Sequence, residues 1–229
     1  MTAAGSEGFA LFVVATPIGN LGDLSERAAR TLREASLVVA EDTRRSRQLL
    51  SHLGIHVPLL SLPAALEARR IPAVLAQLAV GPVALVTDAG TPAISDPGRR
   101  LVAAVRAAGH DVVPIPGPSA VVAALAASGL AGDRFCFLGF LPRTPSRLRR
   151  VLEAVPADWA LVLYEAPQRL ARTLELAAPA LAGRPVVVAR EMTKLHEAWY
   201  QGTAEELAGR FAAVPPRGEC TVVAGPREP

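Results

Sequence analysis

The chain has 229 residues, of which 51% are hydrophobic and 20% are charged, and its formal net charge is +3 at pH 7. This composition predicts a globular protein with a sizeable core and excludes a disordered chain. No apolar run is long enough to span a membrane, and residues 1–8 lack the basic region of a secretory signal. The two cysteines, Cys136 and Cys220, form no metal-spaced pair. We therefore expect a cytoplasmic protein with no membrane partner and no metal.

Apolar runs and helical periodicities alternate through the first half of the chain. Strands are predicted at Phe9–Val14, Leu37–Ala40, Val83–Val86 and Asp111–Ile115, and a short extended piece at Val57–Leu60. A capping or helical-spacing signal follows each strand, beginning with Ser25 as the N-cap of the first helix. Because strands that alternate with helices pair in parallel through right-handed crossovers, the first half predicts a parallel sheet.

The second half continues the alternation. Strands are predicted at Arg134–Leu138, Leu161–Tyr164, Val186–Ala189 and Cys220–Ala224, and helices at Arg147–Ala154, Pro167–Leu181 and Ala204–Ala212. Pro116 to Pro118 form the only rigid punctuation near the midpoint. The sequence therefore predicts two domains, residues 1–116 and residues 117–229.

The segment around the predicted strand Val83–Val86 is the best candidate for a binding loop. The apolar Val83–Val86 leads into Thr87–Pro92, where small residues accompany a carboxylate. Asp96 is predicted as the N-cap of the next helix, with Pro97 at its first position. Open α/β sheets bind ligands in such loops at the carboxyl ends of parallel strands, and Gly90 would let a ligand approach the backbone. A tight strand-to-helix turn without a ligand is the alternative.

Two common nucleotide-binding motifs are absent from the sequence. There is no GxxxxGK[ST] phosphate loop and no GxGxxG after the first strand. Their absence argues against a P-loop nucleoside triphosphatase, a nicotinamide-dependent enzyme and the commonest type of methyltransferase.

Seven loop segments carry a family resemblance. In chain order they are TPIGNLGDLSERA (Thr16–Ala28), AEDTR (Ala40–Arg44), DAGTPAISDPG (Asp88–Gly98), PGPSA (Pro116–Ala120), DRFCFLGFLPR (Asp133–Arg143), YEAPQRL (Tyr164–Leu170) and AREMTK (Ala189–Lys194). With these segments the chain resembles the tetrapyrrole-methylase superfamily, the class III S-adenosylmethionine-dependent methyltransferases. Within it, the chain is similar to the bacterial enzymes that methylate the ribose 2′-hydroxyl of a cytidine in the decoding region of 16S ribosomal RNA. The resemblance covers about residues 9–224.

The resemblance implies a two-domain α/β fold with S-adenosyl-L-methionine in the cleft between the domains. The N-terminal domain would hold a mostly parallel sheet flanked by helices, and the C-terminal domain would be mixed α/β. It also implies a homodimer that acts on 16S rRNA within the small ribosomal subunit. Carried over loop by loop, the cofactor-binding positions are Leu21, Asp88, Ala89, Gly90, Thr91, Ile94, Ser119, Ala120, Glu165 and Met192. Ordinary loop geometry is the alternative explanation for each of them.

Methyl transfer to a hydroxyl needs alignment of the reactants and help in removing a proton. The candidate catalytic residues on the implied cleft loops are Asp23, Glu41, Asp42, Glu191 and Lys194. Lys194 is the only lysine among 24 basic residues. It would stabilise the developing alkoxide, or act as the base if burial lowered its pKa. A structural ion pair with Glu191 is the alternative.

Two arginine clusters are candidate RNA contacts. They consist of Arg44, Arg45 and Arg47 after the second strand, and of Arg143, Arg147, Arg149 and Arg150 after the fifth strand, Arg134–Leu138. Contact with RNA phosphates is the functional interpretation, and a solvated helix face is the alternative.

The sequence departs from the similar RNA enzymes before the third helix. Those proteins carry a His-x-His-Asn-Glu run where this chain has Leu62–Glu67, which retains only the glutamate. Two other functions therefore stay open. One is a C-methyltransferase of tetrapyrrole (uroporphyrinogen or precorrin type) biosynthesis, and the other is a ribosome-associated protein that binds S-adenosylmethionine without turnover.

Overall fold

The computed structural model describes residues 8–227. Two compact units divide the chain, Met1–Ser119 and Ala120–Pro229. The boundary expected after residue 116 lies close to this division. Residues 1–7, where no signal sequence is expected, lie outside the described part. None of the helices described is both long and apolar enough to cross a lipid bilayer.

The first unit is built on a five-stranded sheet in the order β3-β2-β4-β1-β5. Its strands are β1 Leu11–Val14, β2 Leu37–Ala40, β3 Leu59–Ser61, β4 Val83–Val86 and β5 Val112–Ile115. Its helices are α1 Glu26–Glu34, α2 Thr43–His52, α3 Glu67–Leu78 and α4 Arg99–Ala107. All four strand pairings are parallel. The predicted parallel sheet is confirmed.

Strand β4 lies at the centre of this unit and is buried on both faces. Val83 and Leu85 pack into the core that also contains residues of α3 and α4. Ala84 and Val86 pack into the opposite core, together with residues of α1 and α2. Because neighbouring side chains of a strand point to opposite faces, a strand with a core on each side must be apolar throughout. This explains the uninterrupted run that made β4 recognisable in the sequence.

The start of α4 differs from the prediction. Asp96 is not the N-cap; Gly98 takes that position with φ +126°, and a Cβ there would lie 2.8 Å from a methyl group of Leu85. The cap comes instead from Glu67 at the start of α3. Its Oε1 accepts hydrogen bonds from the backbone N–H groups of Gly98, Arg100 and Leu101, at 3.1, 2.8 and 3.0 Å. The glutamate retained in the Leu62–Glu67 segment thus has a structural role. Sequence patterns do not indicate this role because the residues in contact are 31–34 positions apart.

The second unit contains a mixed five-stranded sheet in the order β6-β7-β10-β8-β9. Its strands are β6 Phe135–Phe140, β7 Ala160–Glu165, β8 Val186–Arg190, β9 Ala198–Gly202 and β10 Cys220–Ala224. Its helices are α5 Ala120–Ser128, α6 Pro145–Glu153, α7 Pro167–Ala177 and α8 Ala204–Ala213. Only β6 and β7 pair in parallel, and the other three pairings are antiparallel. The mixed second sheet confirms the predicted fold class.

Strand β9 is an element that the sequence patterns did not predict. It pairs with β8 from Ala198, opposite Arg190, to Gly202, opposite Val186. None of its residues is fully buried, so it lacks the apolar run by which the other strands of this sheet were predicted. An edge strand exposed on one side does not need such a run.

Arg184 links three segments of the second unit. It is only 5% exposed, and its guanidinium donates to the carbonyl oxygens of Trp159 (2.7 Å), Gly225 (3.0 Å) and Pro156 (3.1 Å). A buried arginine that is shared among backbone carbonyls satisfies groups that would otherwise lose their water. The ends of β7, β8 and β10 are held together in this way.

We predict that Glu67→Ala lowers the free energy of unfolding by about 2–3 kcal/mol, because it leaves two buried N–H groups and one partly buried N–H group without their carboxylate acceptor. Urea denaturation followed by circular dichroism measures the change. Glu34→Ala, which removes an exposed glutamate from the end of α1, is the control and should stay within about 0.5 kcal/mol of wild type. Equal stability of the two variants would contradict the capping role.

Candidate functional site

The candidate site of the first unit lies where four strands of the parallel sheet end. We call it the strand-end site; it comprises residues 15–23, 41–42, 87–96 and 116–119, which follow β1, β2, β4 and β5. At its centre, the N–H of Thr16 donates to the carbonyl oxygen of Gly90 (2.9 Å), and the N–H of Gly90 donates back to Thr16 (3.1 Å). The Thr16 hydroxyl also donates to the carbonyl oxygen of Thr87, at 3.3 Å. These bonds fix the loops after β1 and β4 to each other.

Gly90 is enclosed between loops. Its φ of +81° is a conformation that side-chain-bearing residues rarely adopt. A Cβ at this position would lie 3.3 Å from Cγ2 of Ile18 and 3.6 Å from the carbonyl oxygen of Pro118. The neighbouring Thr91 donates its hydroxyl to the same Pro118 carbonyl, at 3.1 Å. The predicted binding loop is therefore held on both sides, by the loops that follow β1 and β5.

Carboxylates gather beside this loop. The buried Thr87 donates its hydroxyl to Glu41 (3.0 Å), and the N–H of Asp42 donates to Asp88 (3.1 Å). Burial raises the pKa of Asp96 to about 6; a hydrogen bond with Thr87 opposes the shift, and the charges of Glu41 and Asp88 add to it. The structure thus brings together the predicted Glu41, Asp42 and Asp88, and adds Asp96 to them.

The first arginine cluster is partly neutralised by these acids. Arg44 forms a 2.6 Å ion pair with Asp42, and Arg45 lies 3.5 Å from Asp88. The hydrogen bonds from Arg44 lower the pKa of Asp42 to about 2. Arg47 is exposed on α2. Two of the three arginines in the first cluster therefore already have carboxylate partners.

A depression of about 390 Å³ opens beside the strand-end site. Among the residues that line it are Leu21, Ser46 and Asp88. The hydroxyl of Ser46 is buried and has no hydrogen-bond partner among residues 8–227. Leu21 and Ile94 expose 48% and 47% of their surface. The site therefore offers an unused polar group and two apolar side chains that remain in contact with water.

Other predicted residues of the first unit lie in more open positions. Asp23 is exposed at the end of a short 3₁₀ turn that begins at Leu21. Ala89 and Ser119 are half-buried in their loops. In residues 8–227, no group of three or more His, Cys, Asp or Glu side chains is arranged to hold a metal.

In the second unit, Glu165 is held by its own surroundings. It is 2% exposed, and its carboxylate accepts hydrogen bonds from the N–H of Ala166 (2.8 Å) and from the hydroxyl of Thr173, while Arg169 lies 3.3 Å away. Its side chain therefore has a structural role at the end of β7. Met192 is 8% exposed, and the predicted position Ala120 is the first residue of α5.

Lys194 is bound to two carboxylates. Its Nζ lies 2.8 Å from Oε1 of Glu191 and 2.9 Å from Oε2 of Glu219. Burial lowers the pKa of Lys194, but the hydrogen bonds to Glu191 and Glu219 outweigh it, and the pKa is raised. This geometry favours the ion-pair interpretation and a permanently charged lysine. A catalytic role for Lys194 stays a prediction, and a role as a cation fits the geometry better than a role as a base.

Backbone strain marks the same two regions. In the described part of the chain, positive φ outside glycine occurs at Ala93 (68°), Ser95 (65°), Glu191 (51°) and Thr193 (65°). Each such residue costs about 1–3 kcal/mol unless its surroundings compensate, and strain of this kind concentrates at functional sites. The strained loops, after β4 and β8, are both among the predicted site loops.

The second arginine cluster is free of acidic partners. Arg143 precedes α6, whose outer surface carries Arg147, Arg149 and Arg150, and all four are exposed. The described residues provide no ion pair to any of them. Leu148 and Leu152 anchor the helix in the core. The helix therefore presents a fixed basic surface to solvent.

Sequence reasoning missed Asp96 and Ser46 as site residues. The Asp-Pro-Gly pattern at Asp96 is typical of a helix start, so we predicted Asp96 as an N-cap. In the structure its carboxyl forms a hydrogen bond with Thr87 instead. Ser46 lies inside α2, where a serine carries no signal of its own. The depression that it lines is formed by the packing of α2 against the loops that follow β1 and β4, and a local sequence pattern does not show this packing.

The family follows from a comparison with known proteins. A family model described as Tetrapyrrole (Corrin/Porphyrin) Methylases matches residues 10–208. The chain belongs to the tetrapyrrole methylase family. The resemblance carried by the seven loop segments is thus confirmed.

Curated relatives cover nearly the whole of this tetrapyrrole methylase. It is 46% identical to the Ribosomal RNA small subunit methyltransferase I of Synechocystis sp., over 94% of this chain and 78% of that protein. It is 44% identical to the protein of the same name from Thermotoga maritima, over 95% of this chain and 99% of that protein.

Solved structures share the fold. The uroporphyrin-III C-methyltransferase from Thermus thermophilus, complexed with S-adenosyl homocysteine, matches with a TM-score of 0.65 and 20% identity. The match covers 95% of this chain and 97% of that one. At this identity the likeness establishes the tetrapyrrole methylase fold alone.

We predict that Asp96→Asn flattens the pH dependence of stability. The folded-state pKa of about 6 lies above the ordinary value of 3.8, so the folded protein retains a proton that the unfolded chain releases first. The free energy of unfolding therefore falls as the pH rises from about 4 to 6. The variant should lose this fall and be more stable than wild type at pH 7.

Urea denaturation at a series of pH values measures the effect. Asp133→Asn, at an exposed loop position, is the control and should keep the wild-type profile. A wild-type slope in Asp96→Asn would show that this carboxyl does not experience the buried acidic surroundings described here.

Proposed function

We propose that this tetrapyrrole methylase transfers a methyl group from S-adenosyl-L-methionine to the ribose 2′-hydroxyl of a cytidine in the decoding region of 16S rRNA. The observation that carries the proposal is the set of relatives named Ribosomal RNA small subunit methyltransferase I. They are 44–50% identical over 86–96% of this chain. The ordered loop segments support the same choice, and the small ribosomal subunit is the proposed partner.

The strand-end site is suited to the cofactor. Its depression lies within the roughly 300–1,000 Å³ usual for small-ligand sites. The backbone groups of Gly90 are bonded to Thr16, so the half-buried Ala89 and Thr91 on either side of it offer the accessible backbone. The unpaired hydroxyl of Ser46 offers a polar contact. Leu21 and Ile94 would supply apolar contacts. When bound, S-adenosylmethionine supplies an electrophilic methyl group on a positively charged sulfur.

Removal of the hydroxyl proton calls for a carboxylate with a pKa near neutrality. Asp96, with a pKa of about 6, suits this role better than Asp42, with a pKa of about 2. We therefore add Asp96 to the candidate bases Asp23 and Glu41. Lys194, paired with Glu191, would act as a fixed positive charge that stabilises developing alkoxide. Glu165 and Met192 remain proposed cofactor contacts.

RNA binding is assigned to α6. Its exposed arginines have no acidic partners among the described residues, so their charge is available to phosphates. Arg47 would add to them, whereas Arg44 and Arg45 would first have to leave their carboxylates. A ribosomal substrate supports a cytoplasmic location, and we propose a homodimer, which light scattering of the purified protein tests.

A second candidate function is C-methylation of a tetrapyrrole, which the structural likeness to a uroporphyrin-III methyltransferase keeps open. A test is to incubate the protein with methyl-labelled S-adenosylmethionine and either small ribosomal subunits or uroporphyrinogen. We expect label in the ribosomal RNA only. Label in the tetrapyrrole would establish the second function, and cofactor binding without transfer to either substrate would indicate a binding protein without turnover.

Gly90→Val tests the assigned cofactor site. We predict at least tenfold weaker binding of S-adenosylmethionine, because a side chain at φ +81° is strained and meets Ile18. Isothermal titration calorimetry measures the affinity. Gly209→Val is the control, because nothing lies within 4 Å of the Cβ position there. Wild-type affinity in Gly90→Val would place the cofactor elsewhere.

Replacement of Arg147, Arg149 and Arg150 together by Ala tests the RNA surface. Each phosphate that is no longer bound should lower the slope of log affinity against log salt by about 0.7–0.9. Filter binding of 16S rRNA at a series of salt concentrations measures the slope. The triple variant of Arg30, Arg33 and Arg106, which are exposed or half-exposed arginines of the first unit, is the control. Equal slopes in the two variants would show that the arginines of α6 do not contact RNA and that this helix surface is only solvated.

A further inference from the structure

A basic groove lies in the second unit, at the β9 edge of its sheet. It has a volume of about 550 Å³ and is formed by β8, β9, α8 and the segment 214–217 that follows α8. The side chains that carry chemistry there are Arg190, His196, Tyr200, Arg210 and Arg217. We call it the Arg210 groove. Of these side chains, only Arg190 lies in one of the seven loop segments, AREMTK (Ala189–Lys194).

The side chains that line the groove carry a net positive charge. Arg190, Arg210 and Arg217 have no carboxylate within ion-pair distance among residues 8–227, and no acidic side chain lines the groove. The glutamates of the preceding loop are engaged elsewhere. Glu197 accepts hydrogen bonds from the indole of Trp199 and the N–H of Thr193, and Glu191 holds Lys194. The groove therefore attracts an anion.

The groove also has a rigid aromatic base. The guanidinium carbon of Arg210 lies 4.7 Å from the centre of the Tyr200 ring. That ring meets Phe211 edge to face, with centroids 5.1 Å apart, and Phe211 is 3% exposed. Arg210 is itself exposed. An exposed guanidinium that rests on an anchored ring is a flat, pre-positioned surface on which a nucleobase can stack.

Arg190 supplies a fixed cation at the β8 side of the groove. One of its terminal nitrogens donates to the backbone carbonyl of His196, at 3.0 Å, and this bond fixes the guanidinium. A fixed guanidinium that lines the groove is suited to a phosphate oxygen, with which it forms charge-assisted hydrogen bonds.

We propose that the Arg210 groove binds one nucleotide of single-stranded RNA, with the base stacked on Arg210 over Tyr200 and the phosphate bound by Arg190 and Arg217. Stacking with backbone contact is how proteins hold unpaired RNA. An acidic peptide would use the arginines but not the stacking surface, so RNA is favoured. The inference rests on the proposed function and deepens it, because it adds a second RNA contact to α6.

The two contacts lie at opposite edges of one sheet. Helix α6 joins β6 to β7, and β6 is one edge strand, whereas β9 is the other. An RNA bound at both must therefore extend across the second unit. Unpaired loops or ends reach such separated contacts more readily than one short helix.

The test uses the full-length protein and a fluorescent single-stranded oligouridylate, with binding followed by anisotropy over a range of salt. In Arg210→Gln/Arg217→Gln we expect about tenfold weaker binding, and a log–log salt slope lower by about 0.7 for each phosphate that the variant no longer binds. Arg106→Gln, an exposed arginine on α4, is the control and should bind as wild type does.

The base contact is tested separately with an abasic ribose-phosphate chain of the same length. Wild type should bind the oligouridylate more tightly than the abasic chain, and Arg210→Gln should remove most of that preference. Equal binding of the two chains by wild type, or a wild-type slope in the double variant, would overturn the proposal. Displacement of the RNA by polyglutamate at equal charge concentration would instead assign the groove to an acidic protein.

The outcomes separate this inference from the proposed function. Cofactor titration of the double variant should give wild-type affinity, which shows that the fold and the cofactor site are intact. If wild type methylates small-subunit RNA while the double variant binds oligouridylate as tightly as wild type does, the RNA-binding role of the groove is wrong and the proposed function is supported. If the double variant loses RNA binding but wild type methylates no ribosomal RNA, the RNA-binding role of the groove is supported and the proposed function is wrong.

Discussion

The reciprocal hydrogen bonds between Thr16 and Gly90 are the constraint on which the strand-end site depends. β1 and β4 are neighbours in the parallel sheet, but their loops would separate once the ladder ends. The pair of bonds, at 2.9 and 3.1 Å, continues the contact for one more step. It requires φ +81° at Gly90 and leaves no room for a side chain beside Ile18. Gly90 is therefore fixed in space, while the half-buried Ala89 and Thr91 on either side of it stay partly open to a ligand.

The strand-end site and the basic surfaces of the second unit differ in charge. The strand-end site collects carboxylates, and its nearest arginines, Arg44 and Arg45, are paired with them. This acidic surrounding suits a positively charged cofactor. Burial, together with the charges of Glu41 and Asp88, raises the pKa of the candidate proton acceptor Asp96 to about 6. The surfaces of α6 and of the Arg210 groove lack acidic partners in the described residues, and they suit a polyanion. A methyltransferase acting on RNA needs both kinds of surface.

The parts of this arrangement that depend on local patterns were predictable from the sequence. The apolar Val83–Val86 run, buried on both faces, indicated the central strand, and the seven loop segments indicated the family. Contacts between distant segments were not predictable. Glu67 caps a helix more than thirty residues away, so the Asp-Pro-Gly pattern wrongly assigned that cap to Asp96. Strand β9 was missed because an edge strand needs no apolar run.

The identity of the methylated atom is the central claim. Small ribosomal subunits that lack the modification can be incubated with the protein and deuterium-labelled S-adenosylmethionine, and the RNA digested to nucleosides for mass spectrometry. We expect labelled 2′-O-methylcytidine, with the label on the ribose, and none after incubation with Gly90→Val. A label on a base, on a nucleoside other than cytidine, or equal labelling by Gly90→Val would contradict the claim.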